Sequence, residues 1–160
     1  MIRVEISLFL NNAPGELGKL SALLGDAGIN IDALTIQDAS AYVQSLFEAR
    51  GKSLKRIASS TNYAYIRRDS AEFSLIRLVV DNSDAAVDLL KENGYLFDTK
   101  DVIAIDIENV PGKLAEITRR FGQEGININY VYGSVSAADA KCLFVFSPED
   151  VELAAKLFIQ

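Results

Sequence analysis

An internal repeat constrains this chain more than any other feature of its sequence. Two segments of the first copy recur in the second, and the matched pairs are Asn12-Ala13-Pro14-Gly15 with Asn109-Val110-Pro111-Gly112, and Gly28-Ile29-Asn30-Ile31 with Gly125-Ile126-Asn127-Ile128. Pro14 and Asn30 are 16 positions apart, and so are Pro111 and Asn127. Two segments matched at one register predict two tandem copies of one structural unit.

Each copy carries the signals of a strand, a helix, two strands and a helix. Ile2, Val4 and Ile6 alternate with polar residues, which is the period of a half-buried strand. The N-x-P-G segment then opens a helix, and Gly28 and Gly125 stand where a helix ends in a left-handed residue. The predicted strands are 2–10, 29–36, 73–80, 95–99, 102–107, 126–132 and 141–146, and the later helix of each copy lies at 83–93 and 149–158.

This element order predicts an α+β protein made of two tandem ferredoxin-like (βαββαβ) units. The first unit covers residues 1–100 and the second covers 101–160. We expect the second unit to lack or shorten its last strand, which would flank strand 102–107. Its absence would leave an edge of the sheet open to pairing. Since neither Gly nor Pro separates Tyr95 from Glu108, we expect one continuous strand to couple the two sheets stiffly.

The first unit also carries an insert of 31 residues, at about 41–71, with an amphipathic helical pattern. Six cations against two carboxylates give it a net charge of +4, which leaves −10 for the rest of the chain. Its run Tyr63-Ala64-Tyr65-Ile66-Arg67-Arg68 interleaves aromatic and cationic residues, as single-strand binders do. We interpret the insert as a solvated decoration, with nucleic-acid binding as the alternative.

Composition narrows the function further. The net charge of −6 disfavours nucleic acid as the main partner. There is no histidine, which removes the commonest acid–base catalyst and metal ligand, and Cys142 stands alone, so no intrachain disulfide can form. No apolar run reaches the roughly 20 residues of a membrane span, and the chain opens with a strand pattern instead of a signal peptide. We predict a soluble, cytoplasmic protein without cofactor or metal.

The order strand, N-x-P-G, helix, G-[IV]-N-I, strand resembles the ACT domain, a regulatory module that binds amino acids. The paired arrangement is similar to small stand-alone tandem ACT proteins, over residues 1–38 and 72–158. The resemblance implies that the two units merge their sheets side by side and bind an effector at the seam. Leu10 and Ile107 stand where serine-binding members carry histidine, which predicts a more apolar wall.

By this resemblance, the asparagines of both motifs contact the ligand. A zwitterionic amino acid suits such a site, because helix-start amides and the helix dipole favour its carboxylate, and an Asn side chain can serve both of its charged groups. The predicted ligand-binding residues are Asn12, Ala13, Pro14, Gly15, Asn30, Ile31, Asn109, Val110, Pro111, Gly112, Asn127 and Ile128.

Each motif residue also has a purely structural interpretation. Asn12 and Asn109 can cap their helices, and Asn30 and Asn127 can be turn residues that leave them. For the second pair we favour ligand contact, because the seam should bring the two side chains together. The residues that we interpret as packing or core residues are Tyr130, Tyr132 and Cys142. The carboxyl groups without the spacing of a metal site or an acid–base pair are Glu5, Asp38, Asp106 and Glu108.

These observations together predict a non-enzymatic sensor of a small amino acid that forms a homodimer and changes the population of its conformations on binding. The main alternative is a regulatory subunit of an amino-acid biosynthetic enzyme such as acetolactate synthase, with that enzyme as its partner. An enzyme and a transcriptional cofactor that uses the insert are further alternatives. No sequence feature names the amino acid.

Overall fold

The computed structural model describes residues 1–39, 73–133 and 141–158. The insert predicted at 41–71, with its expected helix, lies outside the described residues. The elements are β1 (Ile2–Asn11), α1 (Glu16–Asp26), β2 (Ile31–Asp38), β3 (Phe73–Val80), α2 (Ser83–Glu92), β4 (Phe97–Glu108), α3 (Lys113–Gln123), β5 (Ile128–Gly133), β6 (Lys141–Pro148) and α4 (Val151–Lys156). No helix in these ranges is long and apolar enough to cross a membrane.

The strands form one six-stranded antiparallel sheet in the order β2-β3-β1-β4-β6-β5. All four described helices pack on one face, because Ile6 and Leu8 of β1 and Ile103 and Ile107 of β4 point into the cores that the helices cover. The predicted α+β fold with two ferredoxin-like units and merged sheets is therefore confirmed.

Strand β4 belongs to both units. Residues 97–103 pair with β1 and residues 103–108 pair with β6, so one 12-residue strand runs across the junction. The predicted continuous strand is confirmed, and the unit boundary that we expected after residue 100 falls within it.

The two units are related by a pseudo-two-fold axis. In the repeat, Pro14 matches Pro111 at an offset of 97 positions. The same offset matches Val4 to Asp101, and these two residues also pair directly between β1 and β4, so the axis passes between them. In the later elements Asn82 and Asp150 both cap their helices, at an offset of 68 positions. The difference, 29 residues, is the length of the insertion between β2 and β3, two fewer than the 31 residues that we predicted from the sequence.

The strands after the first helix of each unit begin two residues later than predicted. Ile29 donates its backbone N–H to Leu24, and Ile126 donates to Phe121, both at 2.9 Å. These bonds close the helix ends around Gly28 and Gly125, whose φ angles are positive. The isoleucines are therefore buried as part of the helix closure, and the strands start at Ile31 and Ile128.

The sheet curls away from the helices. Strand β2, at one outer edge, contacts β6, although three strands lie between them in the sheet order. The curl encloses a third apolar cluster on the face opposite the helices, with Val79, Val102 and Val145 fully buried. Cys142 is buried in β6, as predicted for a small core residue.

In the described residues, the place of the second unit's last strand is held by the first residues of β1. Met1 and Ala104 exchange backbone hydrogen bonds of 2.7 and 2.9 Å. Residues 105–108 of β4 extend beyond this contact. A groove of about 280 Å³ remains at this edge, lined by Met1, Ile2, Ala155 and Phe158.

Candidate functional site

The two N-x-P-G loops adopt the same backbone conformation. Ala13 donates its N–H to Asn11 O, and Val110 donates to Glu108 O, both at 2.9 Å. Gly15 and Gly112 follow with φ angles of 90° and 88°. A left-handed φ of this kind disfavours any residue with a Cβ, so the glycines are set by the turn.

The helices begin one residue after these glycines, at Glu16 and Lys113. Their N-caps are Gly15 and Gly112, which offer no side-chain hydrogen bond. Capping by Asn12 and Asn109, with the prolines in the first turn, was therefore a wrong prediction. Both asparagines lie three residues before the cap, and Asn12 instead accepts a hydrogen bond of 3.0 Å from the Ser74 hydroxyl.

The absence of a capping side chain defines what the loops can do. The first N–H groups of a helix have no partner within the helix and carry the positive end of its dipole. Both Pro-Gly turns are exposed. The first amide of each helix already donates to a loop carbonyl, Glu16 to Ala13 at 3.3 Å and Lys113 to Val110 at 3.2 Å, so a ligand can approach the amides that follow. The chemistry suits a carboxylate, which accepts hydrogen bonds from several amides at once.

Strand direction places the two loops far apart. β1 and β4 are neighbours but antiparallel, and each loop follows the carboxyl end of its strand. The loop at 12–15 therefore lies at one end of the β1–β4 seam, and the loop at 109–112 lies at the other. Within one chain they form two separate candidate sites.

The asparagines of the G-I-N-I segments lie at the two outer edges of the sheet. Asn30 precedes β2 and Asn127 precedes β5, which are the terminal strands in the order. The two backbones bond alike, since Asn30 O accepts from Asp81 N–H and Asn127 O accepts from Glu149 N–H. The β1–β4 seam of one chain does not bring the two side chains together, contrary to our expectation.

Asn30 and its neighbours form a small polar group at the start of β2. The Asn30 amide donates to Asp32 Oδ1 at 2.9 Å, and Asp32 pairs with Arg3 at 2.7 Å. Ile31, the next predicted ligand residue, packs partly buried against the first core, and Ile128 does the same in the second. Nothing in this geometry tests ligand contact, so the predicted set of residues stays a prediction.

The most unusual polar group of the described chain is one that the sequence analysis set aside. Glu5 is fully buried on the face of the sheet opposite the helices. It accepts hydrogen bonds from the hydroxyls of Tyr130 and, at 2.8 Å, of Tyr132. Arg77 lies with its Nε 4.0 Å from the Glu5 carboxyl group and its guanidinium 4.2 Å from the Tyr130 ring centre. We call these four residues the Glu5 cluster.

Burial, and then the nearby Glu5, raises the pKa of Tyr132 far above its ordinary value, and burial also raises the pKa of Tyr130. Both phenols therefore keep their protons and act as donors. The signal in the sequence was the spacing of the two tyrosines, which puts both hydroxyls on one face of a strand. Their interpretation as packing residues missed this polar role, because the partner lies 125 positions away.

Among the described residues, no group of His, Cys, Asp and Glu is arranged to hold a metal ion. The candidate sites are thus built from backbone amides, asparagines and short loops.

Comparison with known proteins agrees with this description. A family model described as an ACT domain pair matches residues 43–160. No curated protein matches the chain. The match begins inside the insertion and covers β3 and all later elements.

Three solved structures extend the likeness to nearly the whole chain. Protein BT0572 from Bacteroides thetaiotaomicron is 25% identical, with a TM-score of 0.71 over 99% of this chain and 87% of that one. The ligand-free regulatory subunit of aspartate kinase from Thermus thermophilus is 13% identical, with a TM-score of 0.57 over 98% and 91% of the two chains. The regulatory subunit of aspartate kinase from Thermus flavus is 15% identical, with a TM-score of 0.54 over 98% of this chain and 92% of that one. The two aspartate kinase subunits share the fold.

Proposed function

This chain belongs to the ACT domain pair family, and from that premise we propose that it is a non-enzymatic regulatory protein that binds a small amino acid at its N-x-P-G loops. The observation that carries the proposal is the pair of identical Pro-Gly turns, each leading into a helix whose N-cap glycine supplies no side-chain hydrogen bond. A ligand carboxylate meets the amide requirement that a capping side chain would otherwise meet.

The asparagines complete the proposed recognition. Asn12 and Asn109 open the loops, and an amide side chain can donate to a carboxylate and accept from an ammonium group. Asn30 and Asn127 lie at the outer edges of the sheet, so in our proposal they contact a ligand held between two chains of a homodimer. Light scattering with and without ligand tests this assembly, and a monomer in both conditions would refute it.

Calorimetric titration of the full chain against the twenty amino acids tests the binding itself. We expect one of them, or a chemically related few, to bind with a dissociation constant below a millimolar. No measurable binding to any of them would overturn the proposal.

A matched pair of glycine variants locates the site. Gly112→Ala introduces a Cβ at a φ of 88° in the second loop, and Gly94→Ala does the same at a φ of 74° at the other end of β4. Each costs about 1 kcal/mol of stability, because a left-handed φ disfavours alanine. Only Gly112→Ala should weaken binding, since it disturbs the turn that aims the amides. Equal loss in both variants would count against the loop.

Regulation needs a recipient of the signal. We propose that this is a partner enzyme of amino-acid biosynthesis in the cytoplasm, whose activity follows the conformation that the ligand favours. Affinity capture with the ligand present should retrieve one enzyme in stoichiometric amount. Failure to retrieve one would refute the partner and leave the binding proposal to be judged by calorimetry.

A further inference from the structure

The Glu5 cluster joins parts of the sheet that a flat sheet would keep apart. Strand β5, which carries Tyr130 and Tyr132, is three strands from β1, which carries Glu5. At about 4.8 Å per strand, the two backbones would be roughly 14 Å apart in a flat sheet. Two side chains that stand upright on such a sheet would not meet. Direct hydrogen bonds between them require the curl that the sheet shows.

The cluster is costly to open. Glu5 is fully buried, and its two carboxyl oxygens are occupied by the two phenols. The raised pKa values of the phenols keep both protons available for these bonds. Removing a partner from a buried carboxyl group leaves a desolvated polar group without compensation, which is among the more destabilising changes in a protein interior.

The pseudo-two-fold axis shows that the cluster occurs once. With the offsets of 97 and 68 positions, Glu5 corresponds to Val102 and Arg77 corresponds to Val145. Tyr130 and Tyr132 correspond to Ala33 and Thr35. The related side chains thus include no carboxyl group, no phenol and no guanidinium. At the other outer edge of the sheet, β2 contacts β6, and Ala33 of β2 packs against the apolar cluster that contains Val79, Val102 and Val145.

We propose that the Glu5 cluster is a conformational lock, which holds the β5 edge over β1 and thereby fixes the orientation of the second unit on the first. Lys100 extends the lock, because its ammonium group donates to Ser147 at 2.7 Å and lies 5.6 Å from the Tyr130 ring. Opening the lock lets the sheet flatten and frees β5, which begins directly after Asn127. The lock follows from the contacts alone and does not depend on which ligand binds.

Hydrogen exchange measured by mass spectrometry on the ligand-free protein tests the lock. In the double variant Tyr130→Phe with Tyr132→Phe, both rings remain but Glu5 loses both phenol donors and keeps the longer hydrogen bond of 3.5 Å from the Ser7 hydroxyl. We expect peptides from β5 to exchange about thirtyfold faster, because two lost hydrogen bonds of about 1 kcal/mol each shift local opening by that factor. Peptides from β1 and β3 should exchange as in the natural protein.

Tyr95→Phe is the matched control, because it removes a phenol hydroxyl on the helix face, beside the first core. It should leave β5 exchange unchanged. Faster exchange in all strands alike would show general destabilisation and overturn the lock, and so would unchanged exchange in β5. If the double variant does not fold, the single variant Tyr132→Phe provides the same comparison.

Discussion

The two units fill matched core positions with different side chains. Four positions that are aliphatic in the first unit are phenylalanine in the second, and the pairs are Leu24 with Phe121, Ile76 with Phe144, Leu78 with Phe146, and Leu90 with Phe158. The phenylalanine rings contact one another, and the ring centre of Phe121 lies 5.4 Å from that of Phe146 and 5.6 Å from that of Phe158.

The difference in core side chains follows from the residues that stand at the sheet edge of each unit. In the first unit, Phe97 of β4 and Tyr95, two residues before it, pack against the core from the edge of the sheet. Among the described residues, Met1 and Ile2 stand at the matching edge of the second unit, and a groove remains there. Where fewer residues cover the edge of a core, the other elements must fill its volume, because protein interiors are packed to near-crystal density. The larger rings of the second unit supply that volume.

Truncating a ring of the second core should have the largest effect. Phe121→Ala removes a fully buried ring with two aromatic neighbours, and we expect a loss of about 4 kcal/mol in the free energy of unfolding. Leu24→Ala, at the matched position, should cost about 3 kcal/mol. Urea denaturation measures both. A larger cost for Leu24→Ala would contradict the idea that the rings fill the volume at the less covered edge.

Replacing Glu5 by valine, the residue at the matched position of the second unit, should have the next largest effect on the free energy of unfolding. Glu5→Val installs the residue type found at the matched position 102. It leaves two phenols and the Arg77 guanidinium without their carboxyl partner on the face opposite the helices. We expect a loss of about 3 kcal/mol. Glu5→Gln keeps the shape and one acceptor and should cost less. An equal cost for both variants would show that the polar partners of Glu5 contribute little.

The sequence predicted the fold closely, whereas the ligand-binding residues that it indicated stay a prediction. The repeat and the unbroken stretch from Tyr95 to Glu108 are local signals, and they predicted both the tandem units and the shared strand. The Glu5 cluster could not be predicted, because its partners meet only through the curl of the sheet. The capping role of Asn12 failed for a local reason, since the positive φ of Gly15 places the cap at the glycine.

Filling the groove should stabilise the protein. Ile2→Phe adds a ring to the groove at the edge of the second unit, and we expect a gain of about 1 kcal/mol, as for other cavity-filling changes. Ile6→Phe is the control, because Ile6 is fully buried in the first core and a larger side chain there should cost about 2 kcal/mol. Destabilisation by Ile2→Phe would show that the groove does not accept a ring.

The smallest expected effect concerns the charges at the two helix starts. Both helices carry an ion pair at i,i+3 in the first turn, but the order is reversed: Glu16 precedes Lys19, and Lys113 precedes Glu116. The hydrogen bond to Lys113 holds the pKa of Glu116 below its ordinary value, so the pair stays ionised at neutral pH. The second loop thus has a cation next to its turn, and the first has a carboxylate.

This reversal predicts that the second loop binds a carboxylate more tightly. Exchanging the pair, Lys113→Glu with Glu116→Lys, keeps the net charge and should weaken ligand binding there about threefold, through charge near the helix start. The opposite exchange in α1, Glu16→Lys with Lys19→Glu, should strengthen binding at the first loop by a similar factor. Titrations at low and high salt separate this effect from a change in loop shape, because salt screens exposed charges. If both exchanges change affinity in the same direction, the two loops do not differ through these charges, and the asymmetry between the units resides in their cores.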